Sequence, residues 1–273
     1  HKAAGINDLI LGRAELPMPE NVTEKNMRQI RAASKLIRRK QRQYETQNLQ
    51  FAEMREDAGL KEYLDRTTFI NKDGEVCEFT DLQKHDLNLV LQKRYALLNW
   101  QQGSGKTAAV YHRAKYLLKF RKAKNVIILA PAIATNMTWI PFLTINKERF
   151  RTIQTAGDLN NIPEGTFLVV STSMLRKLKR GLMHFVKRTS GKLCLVFDES
   201  DEITNPTSQR TRNILCIFRR LRYKILDTGT TTRNNIAELY SQFELLYNNS
   251  VNMICWSPQV YHENRDHEIE EEN

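Results

Sequence analysis

The chain contains 273 residues, of which 41% are hydrophobic and 27% are charged, and its formal net charge is +11. A hydrophobic fraction of this size supports a folded core, which excludes a wholly disordered chain. No stretch approaches the roughly 20 consecutive apolar residues of a membrane helix, so a membrane-spanning protein is excluded and no membrane partner is expected.

The charge is unevenly distributed along the chain. Residues 262–273 hold six acidic residues and one basic residue, so residues 1–261 carry 41 basic and 25 acidic side chains, a net charge of +16. A strongly basic body favours polyanionic partners, nucleic acid first, although a solvated charged surface is an alternative.

The cysteines do not indicate a zinc site or a disulfide framework. None of the four forms a CxxC pair, and they lie far apart at Cys77, Cys194, Cys216 and Cys255. We therefore expect structural thiols in a reducing intracellular setting, cytoplasmic in a bacterium or virus and nuclear in a eukaryote.

Residues 1–79 are predicted to form a helical extension that ends in a hairpin. Apolar residues recur at helical spacing from Met27 to Tyr44, and eight basic residues with no acidic residue lie between Lys25 and Arg42. This basic face either contacts phosphates or is an ordinary solvated surface, and the pattern favours neither. Residues 67–79 are typical of a hairpin, because Asp73-Gly74 separates two runs with high β-propensity.

Residues 80–250 are predicted to form one α/β domain, followed by a C-terminal segment, 251–273, with the acidic tail. Apolar strands at 95–100, 125–131, 166–172, 192–199 and 223–230 alternate with amphipathic helices. Such strands are typical of a mostly parallel sheet flanked by helices on both faces. Right-handed crossovers bring the C-terminal strand ends to one edge, where we expect the ligand.

A glycine-rich loop is predicted to bind phosphate. It reads Gly103-Ser104-Gly105-Lys106-Thr107 and lies between the strand at 95–100 and a helix at 107–120. The glycines let backbone N–H groups face a phosphate, and the helix N-terminus adds partial positive charge. Lys106 is then expected to reach the β- and γ-phosphates and Thr107 to bind Mg²⁺. The alternative is a glycine-rich turn at a helix cap.

Trp100 departs from the usual phosphate-loop pattern, in which a small residue stands at this position. We expect it either to stack near the nucleotide or to narrow the entrance of the loop.

Two further segments end apolar strands with polar residues. Asp198 is expected to hold Mg²⁺ and Glu199 to orient or deprotonate the attacking water, although an Asp-Glu pair at a strand end is also a common helix cap. The segment Asp227–Asn235 ends the last strong strand with a small loop that is rich in hydroxyl groups. It either senses the γ-phosphate or is a simple turn.

Five segments, in this order, resemble the motor of Swi/Snf-type ATPases, which belong to the superfamily 2 helicases. The resemblance covers roughly residues 80–250 and is carried by GSGKT, LAPAIATNMTW, LVVSTSML, DESD with EITNPTSQRTRNIL, and TGTTTRNNIAELY. It implies a RecA-like P-loop lobe with ATP and Mg²⁺ as cofactors and with Lys106, Asp198 and Glu199 as catalytic residues. The nucleotide-binding residues would be Gln102, Gly103, Ser104, Gly105, Lys106, Thr107 and Ala108, with Thr107 and Asp198 at the metal.

The resemblance also implies a coupling segment and a nucleic-acid track. The coupling residues would be Thr228, Gly229 and Thr230. The track would contain Pro131, Ala132, Ser171 and Thr172, and the basic run at 174–188 adds Arg176 and Lys177. Contacts of this kind predict salt-sensitive, sequence-tolerant binding to double-stranded DNA, unless the basic residues are only solvated or pack on another lobe.

Besides Trp100, three positions depart from the family pattern. Asp201 replaces the usual His, which predicts either a weakened contact with the coupling segment, a repulsion or a new polar pair. Thr231 replaces the usual Pro. Asp86 occupies the position of the adenine-sensing Gln, which Gln83 could replace only with a shift in register.

Motors of this type act between two RecA-like lobes, so we expect this chain to be the first lobe of a longer protein, with the second lobe as its partner. The leading hypothesis is the first motor lobe of an ATP-dependent DNA translocase. One alternative is the motor of a restriction, phage or plasmid helicase system. Another is a non-hydrolysing nucleic-acid-binding scaffold with a degenerate motor fold.

Overall fold

The computed structural model describes residues 54–189, 192–229 and 239–247, together with part of 23–41. The described positions from Glu24 to Gln41 are helical, as predicted for that segment. Thr230, Thr231, Cys255 and the acidic tail lie outside the described residues. Arg55–Leu246 form one compact unit, and the following description concerns this unit.

The unit begins with a helix, a hairpin and a second helix. Helix α1 spans Ala58–Asp65 and helix α2 spans Asp81–Leu91, and between them β1 (Thr68–Ile70) pairs antiparallel with β2 (Val76–Glu78). The predicted hairpin is therefore confirmed, and Gly74 adopts a φ of +84° in its turn.

A reciprocal amide contact joins the two helices. The buried Asn88 Oδ1 accepts from the Asp57 N–H at 2.9 Å, and its Nδ2 donates to Asp57 O at 2.8 Å.

Six strands form the central sheet, and every neighbouring pair is parallel. The strands are β3 (Tyr95–Asn99), β4 (Asn125–Ala130), β5 (Phe150–Thr152), β6 (Phe167–Ser171), β7 (Leu193–Phe197) and β8 (Tyr223–Thr228). Their spatial order is β3-β8-β7-β4-β6-β5. The predicted α/β fold with a parallel sheet is confirmed. Strand β5 was not predicted, because three residues are too few to give a recognisable pattern.

Helices cover the sheet and lead away from the ends of its strands. They are α3 (Lys106–Lys119), α4 (132–145), α5 (Leu175–Thr189), α6 (Gln209–Phe218) and α7 (Leu239–Tyr247). Helix α3 contributes a run of buried residues to the core cluster and packs on β7 and β8. Its predicted start after the glycine-rich loop is confirmed. Among the described residues, none of the helices has the length and apolar character needed to cross a bilayer.

Helix α4 has an irregular centre. Its first turn, Ala132–Ala134, continues into a π-helical turn, Thr135–Trp139, before regular geometry returns at Ile140–Ile145. A π-helical turn widens the helix by one residue and thereby changes the direction of the side chains that follow it. It places Trp139 inside the core, where this residue is fully buried.

His112 on α3 is a buried neutral imidazole. Its ring lies 5.8 Å from Phe69, 5.2 Å from Phe79 and 4.8 Å from Tyr111, measured between ring centroids. Burial lowers the pKa of His112 to about 4, and the charge of Lys115 acts in the same direction. No described group partners its Nε2 atom.

We predict that His112 makes the stability of the protein acid-sensitive between pH 6.5 and 4. In this window the unfolded chain takes up a proton that the folded chain excludes, so a stability of about 3 kcal/mol, fully present above pH 6.5, is lost as the pH falls. His112→Phe should flatten this dependence in urea unfolding at pH 4.5 and 7, whereas the exposed His184→Gln should keep it. Identical pH dependence in wild type and His112→Phe would contradict the prediction.

Candidate functional site

The predicted site residues lie along one edge of the sheet, at the C-terminal ends of its parallel strands. The glycine-rich loop follows β3, Asp198 follows β7, and Thr228 ends β8. Pro131 follows β4 and Ser171 ends β6, so the proposed track lies at the same edge. Because β8 lies between β3 and β7, the loop and the acidic residues follow strands that are second neighbours, and Thr228 ends the strand between them.

The glycine-rich loop has the backbone geometry of an anion site. Gly103 and Gly105 adopt φ values of +79° and +83°, which glycine tolerates and other residues rarely do. Gly105 caps α3 without any side-chain hydrogen bond to the first turn. The N–H groups of that turn have no intrahelical partners and carry the positive end of the helix dipole, so a phosphate fits this position.

Lys106 is held against its own loop. Its Nζ donates to Trp100 O at 3.0 Å and to Gln101 O at 3.3 Å. To contact a phosphate, the ammonium group must exchange these two carbonyl oxygens for phosphate oxygens. The half-buried Thr107 follows it in the first turn of α3, where its hydroxyl can reach a phosphate-bound cation.

Two departures from the family pattern contact each other. The indole Nε1 of Trp100 donates to Asp86 Oδ2 at 2.8 Å, so the unusual aromatic residue partners the unusual acid. Trp100 is half-buried and packs against the core cluster. Trp100 stands where the family pattern has a small residue and Asp86 where it has a neutral one, and each supplies a hydrogen-bond partner for the other.

Gln83 is engaged on both sides of its amide. Its Oε1 accepts from the Thr80 N–H at 2.8 Å in a capping box, and its Nε2 donates to Ser104 O at 2.8 Å. This amide therefore connects the start of α2 to the phosphate loop. A role in reading adenine would require breaking one of these two contacts.

Asp198 is almost fully buried, with 7% of its surface exposed. Its Oδ2 accepts from the indole Nε1 of Trp139 at 2.7 Å, and its backbone N–H donates to Leu129 O at 2.9 Å. The next residue, Glu199, has left-handed backbone angles, φ 53° and ψ 54°, which cost a non-glycine residue roughly 1–2 kcal/mol. These backbone angles turn the chain at Glu199, so the side chains of Asp198 and Glu199 have different surroundings. Different surroundings are consistent with the different roles expected for the two acids.

Asp201 forms a polar pair with the coupling segment. The Thr228 hydroxyl donates to Asp201 Oδ1 at 3.3 Å, and both residues are buried. For Asp201 in place of the usual His, the sequence left open a weakened contact, a repulsion or a new polar pair. The structure shows the new polar pair. Beside it, Ser200 Oγ donates to Gln242 Oε1 on α7 at 3.0 Å.

The coupling segment lies close to the phosphate loop. A Cβ atom added to Gly229 would lie 3.2 Å from Lys106 Nζ and 3.2 Å from Gln102 Cγ, so a larger residue there would require these side chains to shift slightly. Thr230, the third predicted coupling residue, lies outside the described residues.

The structure also reveals two residues whose roles the motifs did not indicate, Trp139 and Asp227. Trp139 was quoted only as part of a family-like segment, and its contact with Asp198 spans 59 positions of sequence. Asp227 is fully buried beside Asp198. Burial and the neighbouring Asp198 carboxylate raise the pKa of Asp227 well above its usual range.

The described part of the chain contains no group of three or more His, Cys, Asp and Glu side chains arranged to enclose a metal ion. A divalent cation at this edge would therefore take part of its coordination from phosphate or water oxygens. This arrangement is usual for Mg²⁺, which is commonly held by one or two carboxylates and by substrate phosphates.

The basic run of α5 has an exposed patch at each end of the helix, and Lys179 and Arg180 lie between the two patches. Arg176 and Lys177 are exposed in the first turn, at the edge that holds the phosphate loop. Lys187 and Arg188 are exposed in the last turn, about 15 Å away along the helix axis.

The first patch adjoins the other predicted track residues. Thr172 is buried in the turn before α5, and Ser171 Oγ lies 2.8 Å from Ser173 Oγ. At the start of α4, Pro131 is half-buried and Ala132 is exposed.

A parallel sheet with a phosphate loop after one strand and acidic residues after its second neighbour defines a RecA-like lobe of a helicase-type ATPase. The sequence profile of a known family matches most of the chain. The chain belongs to the family described as "Type III restriction enzyme, res subunit", whose profile matches residues 28–233.

Individual relatives agree with this assignment. The ATP-dependent helicase FUN30 of Saccharomyces cerevisiae is 27% identical over 175 residues, which cover 60% of this chain and 15% of that protein. The Sulfolobus solfataricus SWI2/SNF2 ATPase core in complex with dsDNA superposes with a TM-score of 0.58 at 16% identity, covering 74% of this chain and 41% of that one. The core domain from the same organism, in a second structure, gives a TM-score of 0.55 at 17% identity, over 72% and 40%.

These relatives are longer than the part that matches, and the chain spans 15% of the curated relative. The solved cores are similar in fold. The predicted resemblance to Swi/Snf-type motors and the predicted RecA-like lobe are confirmed by these comparisons.

We predict that Trp139→Phe destabilises the protein by about 2 kcal/mol, because a buried carboxylate loses its indole donor while the aromatic packing is largely kept. The matched control is Trp100→Phe, which removes the indole donor of a more exposed aspartate and should cost less. Urea unfolding at pH 7 gives both free energies. An equal or larger loss for Trp100→Phe would show that the Trp139–Asp198 contact does not stabilise the site.

Proposed function

We propose that this chain is the ATP-binding first motor lobe of a DNA-dependent ATPase that couples ATP hydrolysis to movement along double-stranded DNA. The observation that carries the proposal is that Lys106, the Asp198-Glu199 pair and the Thr228–Asp201 contact meet at one edge of the sheet. Two similar proteins support it, since FUN30 is an ATP-dependent helicase and the Sulfolobus core is in complex with dsDNA.

The chemistry follows from the positions of these side chains. The N–H groups at Gly103–Thr107 bind the phosphates, and Lys106 leaves the loop carbonyls to neutralise the β- and γ-phosphates. Mg²⁺, held by Thr107 and Asp198, would supply further neutralisation of phosphate charge. Glu199 orients the attacking water or accepts its proton.

Coupling begins at Gly229. Because this glycine lies against Lys106 Nζ, a movement of the ammonium group towards phosphate changes the space available to the coupling segment. Thr228 passes that change to Asp201, and Ser200 connects the acidic segment to α7. We propose that a second RecA-like lobe supplies an arginine to the γ-phosphate, so that this chain alone binds ATP·Mg²⁺ weakly and hydrolyses it slowly.

A restriction motor is the second candidate, because the matching family is described as a restriction-enzyme subunit. It would use the same residues for ATP and DNA. The two candidates differ in what the whole protein does to DNA after movement, namely cleavage or displacement of a bound obstacle, and an assay of both products on the full-length protein distinguishes them.

We predict that Lys106→Ala weakens ATP·Mg²⁺ binding at least tenfold, because it removes the side chain that neutralises the phosphates. The change in tryptophan fluorescence on ATP titration measures binding, since Trp100 adjoins the loop. Lys119→Ala, at the other end of α3 and about 20 Å away, is the matched control and should bind as wild type does.

Unchanged binding in Lys106→Ala would exclude the proposed nucleotide site and favour the scaffold hypothesis. A turnover of several ATP per second by the isolated chain, lost in Lys106→Ala, would contradict the requirement for a second lobe.

We also predict that Arg176→Ala with Lys177→Ala weakens binding to duplex DNA of any sequence and lowers the slope of log K against log salt by up to about 2, one phosphate contact for each residue. The control pair, Lys187→Ala with Arg188→Ala, removes the same charge from the far end of α5 and should have less effect. Fluorescence anisotropy between 50 and 200 mM salt, conditions typical of such titrations, measures both. A larger effect of the control pair would indicate that DNA binds near the far end of α5 and not at the nucleotide edge.

A further inference from the structure

The carboxyl group of Asp227 is a buried acid that the proposed mechanism does not yet use. It lies near the end of β8, between β3 and β7, and its backbone pairs with Leu98 of β3. The register of β7 and β8 aligns Phe197 with Leu226, so Asp198 and Asp227 are the next residues of their strands. Asp227 has no exposed surface.

The side chain of Asp227 is on the face that α3 covers. Successive residues of a strand alternate between faces, so Asp227 shares a face with Ile225, which packs in the core cluster with α3. By the same alternation Asp198 shares this face with Val196. Since α3 begins at this edge, both carboxyl groups lie on the side of the sheet where the first turn of α3 contains Thr107.

Neither carboxyl oxygen of Asp227 makes a well-formed hydrogen bond with the described residues. Its neighbours include the carboxyl groups of Asp198 and Glu199 and the Glu199 N–H, and Asp198 and this N–H are close enough for weak hydrogen-bond contact. One oxygen of Asp198 is occupied by Trp139. A fully buried acid beside a second acid is costly unless a cation or a proton lies between them.

We propose that Asp227 is a second carboxylate ligand, beside Asp198, of the divalent cation at the nucleotide site. The inference rests on the proposed function, because it concerns the cation that accompanies ATP. The two carboxylates supply the negative charge, and the Thr107 hydroxyl, water and phosphate oxygens supply the remaining ligands. A cation between the acids removes their repulsion and satisfies the oxygens of Asp227.

This arrangement gives the lobe an affinity for the divalent cation before nucleotide arrives. Where a site has one carboxylate, the cation depends largely on the phosphates that it accompanies. Two neighbouring buried carboxylates bind the cation more strongly, because the two negative charges repel each other when no cation lies between them.

The test is a titration of the full chain with Mn²⁺, in which electron paramagnetic resonance counts the free cation, first without nucleotide and then with ADP. Wild type should bind about one Mn²⁺ per chain without nucleotide. Asp227→Asn, which keeps the size of the side chain, should raise the dissociation constant roughly tenfold or more, and Asp227→Ser should do the same. Glu202→Gln is the matched control, because it removes one negative charge from the same acidic segment, where Glu202 pairs with Arg210 at 3.0 Å.

The outcomes separate this inference from the proposed function. If wild type and both Asp227 variants bind Mn²⁺ equally and ATP binding is intact, Asp227 is not a cation ligand. The proposed function as a motor lobe would be unaffected. An equal loss in Glu202→Gln also overturns it, because general charge would then explain the effect. Failure of wild type to bind ATP in the presence of Mg²⁺ would instead contradict the proposed function. Circular dichroism confirms that each variant is folded.

Discussion

The arrangement of the site depends on one buried charge, the carboxylate of Asp198. A carboxylate with 7% exposure needs donors inside the protein, and Trp139 supplies one at 2.7 Å. Trp139 reaches it because the π-helical turn of α4 directs the indole into the core. The same helix begins at Pro131 and Ala132, the residues expected to contact nucleic acid. The proposed cation ligand Asp198 and the start of the proposed DNA track are therefore connected through one helix.

The departures from the family pattern bear on whether this lobe is a degenerate scaffold. A motor that has lost its function accumulates unpaired replacements, since nothing selects for their compensation. Here Trp100 contacts Asp86, and Asp201 contacts Thr228, so these three unusual residues, which lie in the described part of the chain, each have a partner at the site. Gln83 likewise holds the phosphate loop while it caps α2. These contacts favour a functional site whose unusual residues compensate for each other over the degenerate scaffold.

The sequence predicted the parts of the fold that depend on local pattern. Continuous apolar runs located five strands, and the glycines with Lys106 located the start of α3, because backbone geometry at such a loop requires those residues. The contacts of Trp139 and Asp227 could not be predicted in this way. They join residues on different strands and helices, and the chain gives no local sign that an acid at 198 meets an indole at 139. The edge strand β5 was not predicted for a different reason: its three residues are too few to show a recognisable pattern.

Net charge points to nucleic acid, but burial and pairing decide where it can bind. Several arginines of the basic body already have acidic partners, since Arg210 contacts Glu202 at 3.0 Å and Arg219 contacts Glu244 at 3.6 Å. Arg176 and Lys177, in contrast, are exposed at the strand ends where the phosphate loop and Asp198 also lie. A polyanion bound there would lie at the same edge of the sheet as the residues that we propose to bind nucleotide. Position relative to this edge, and not the total of +11, is therefore what connects DNA binding to the nucleotide site.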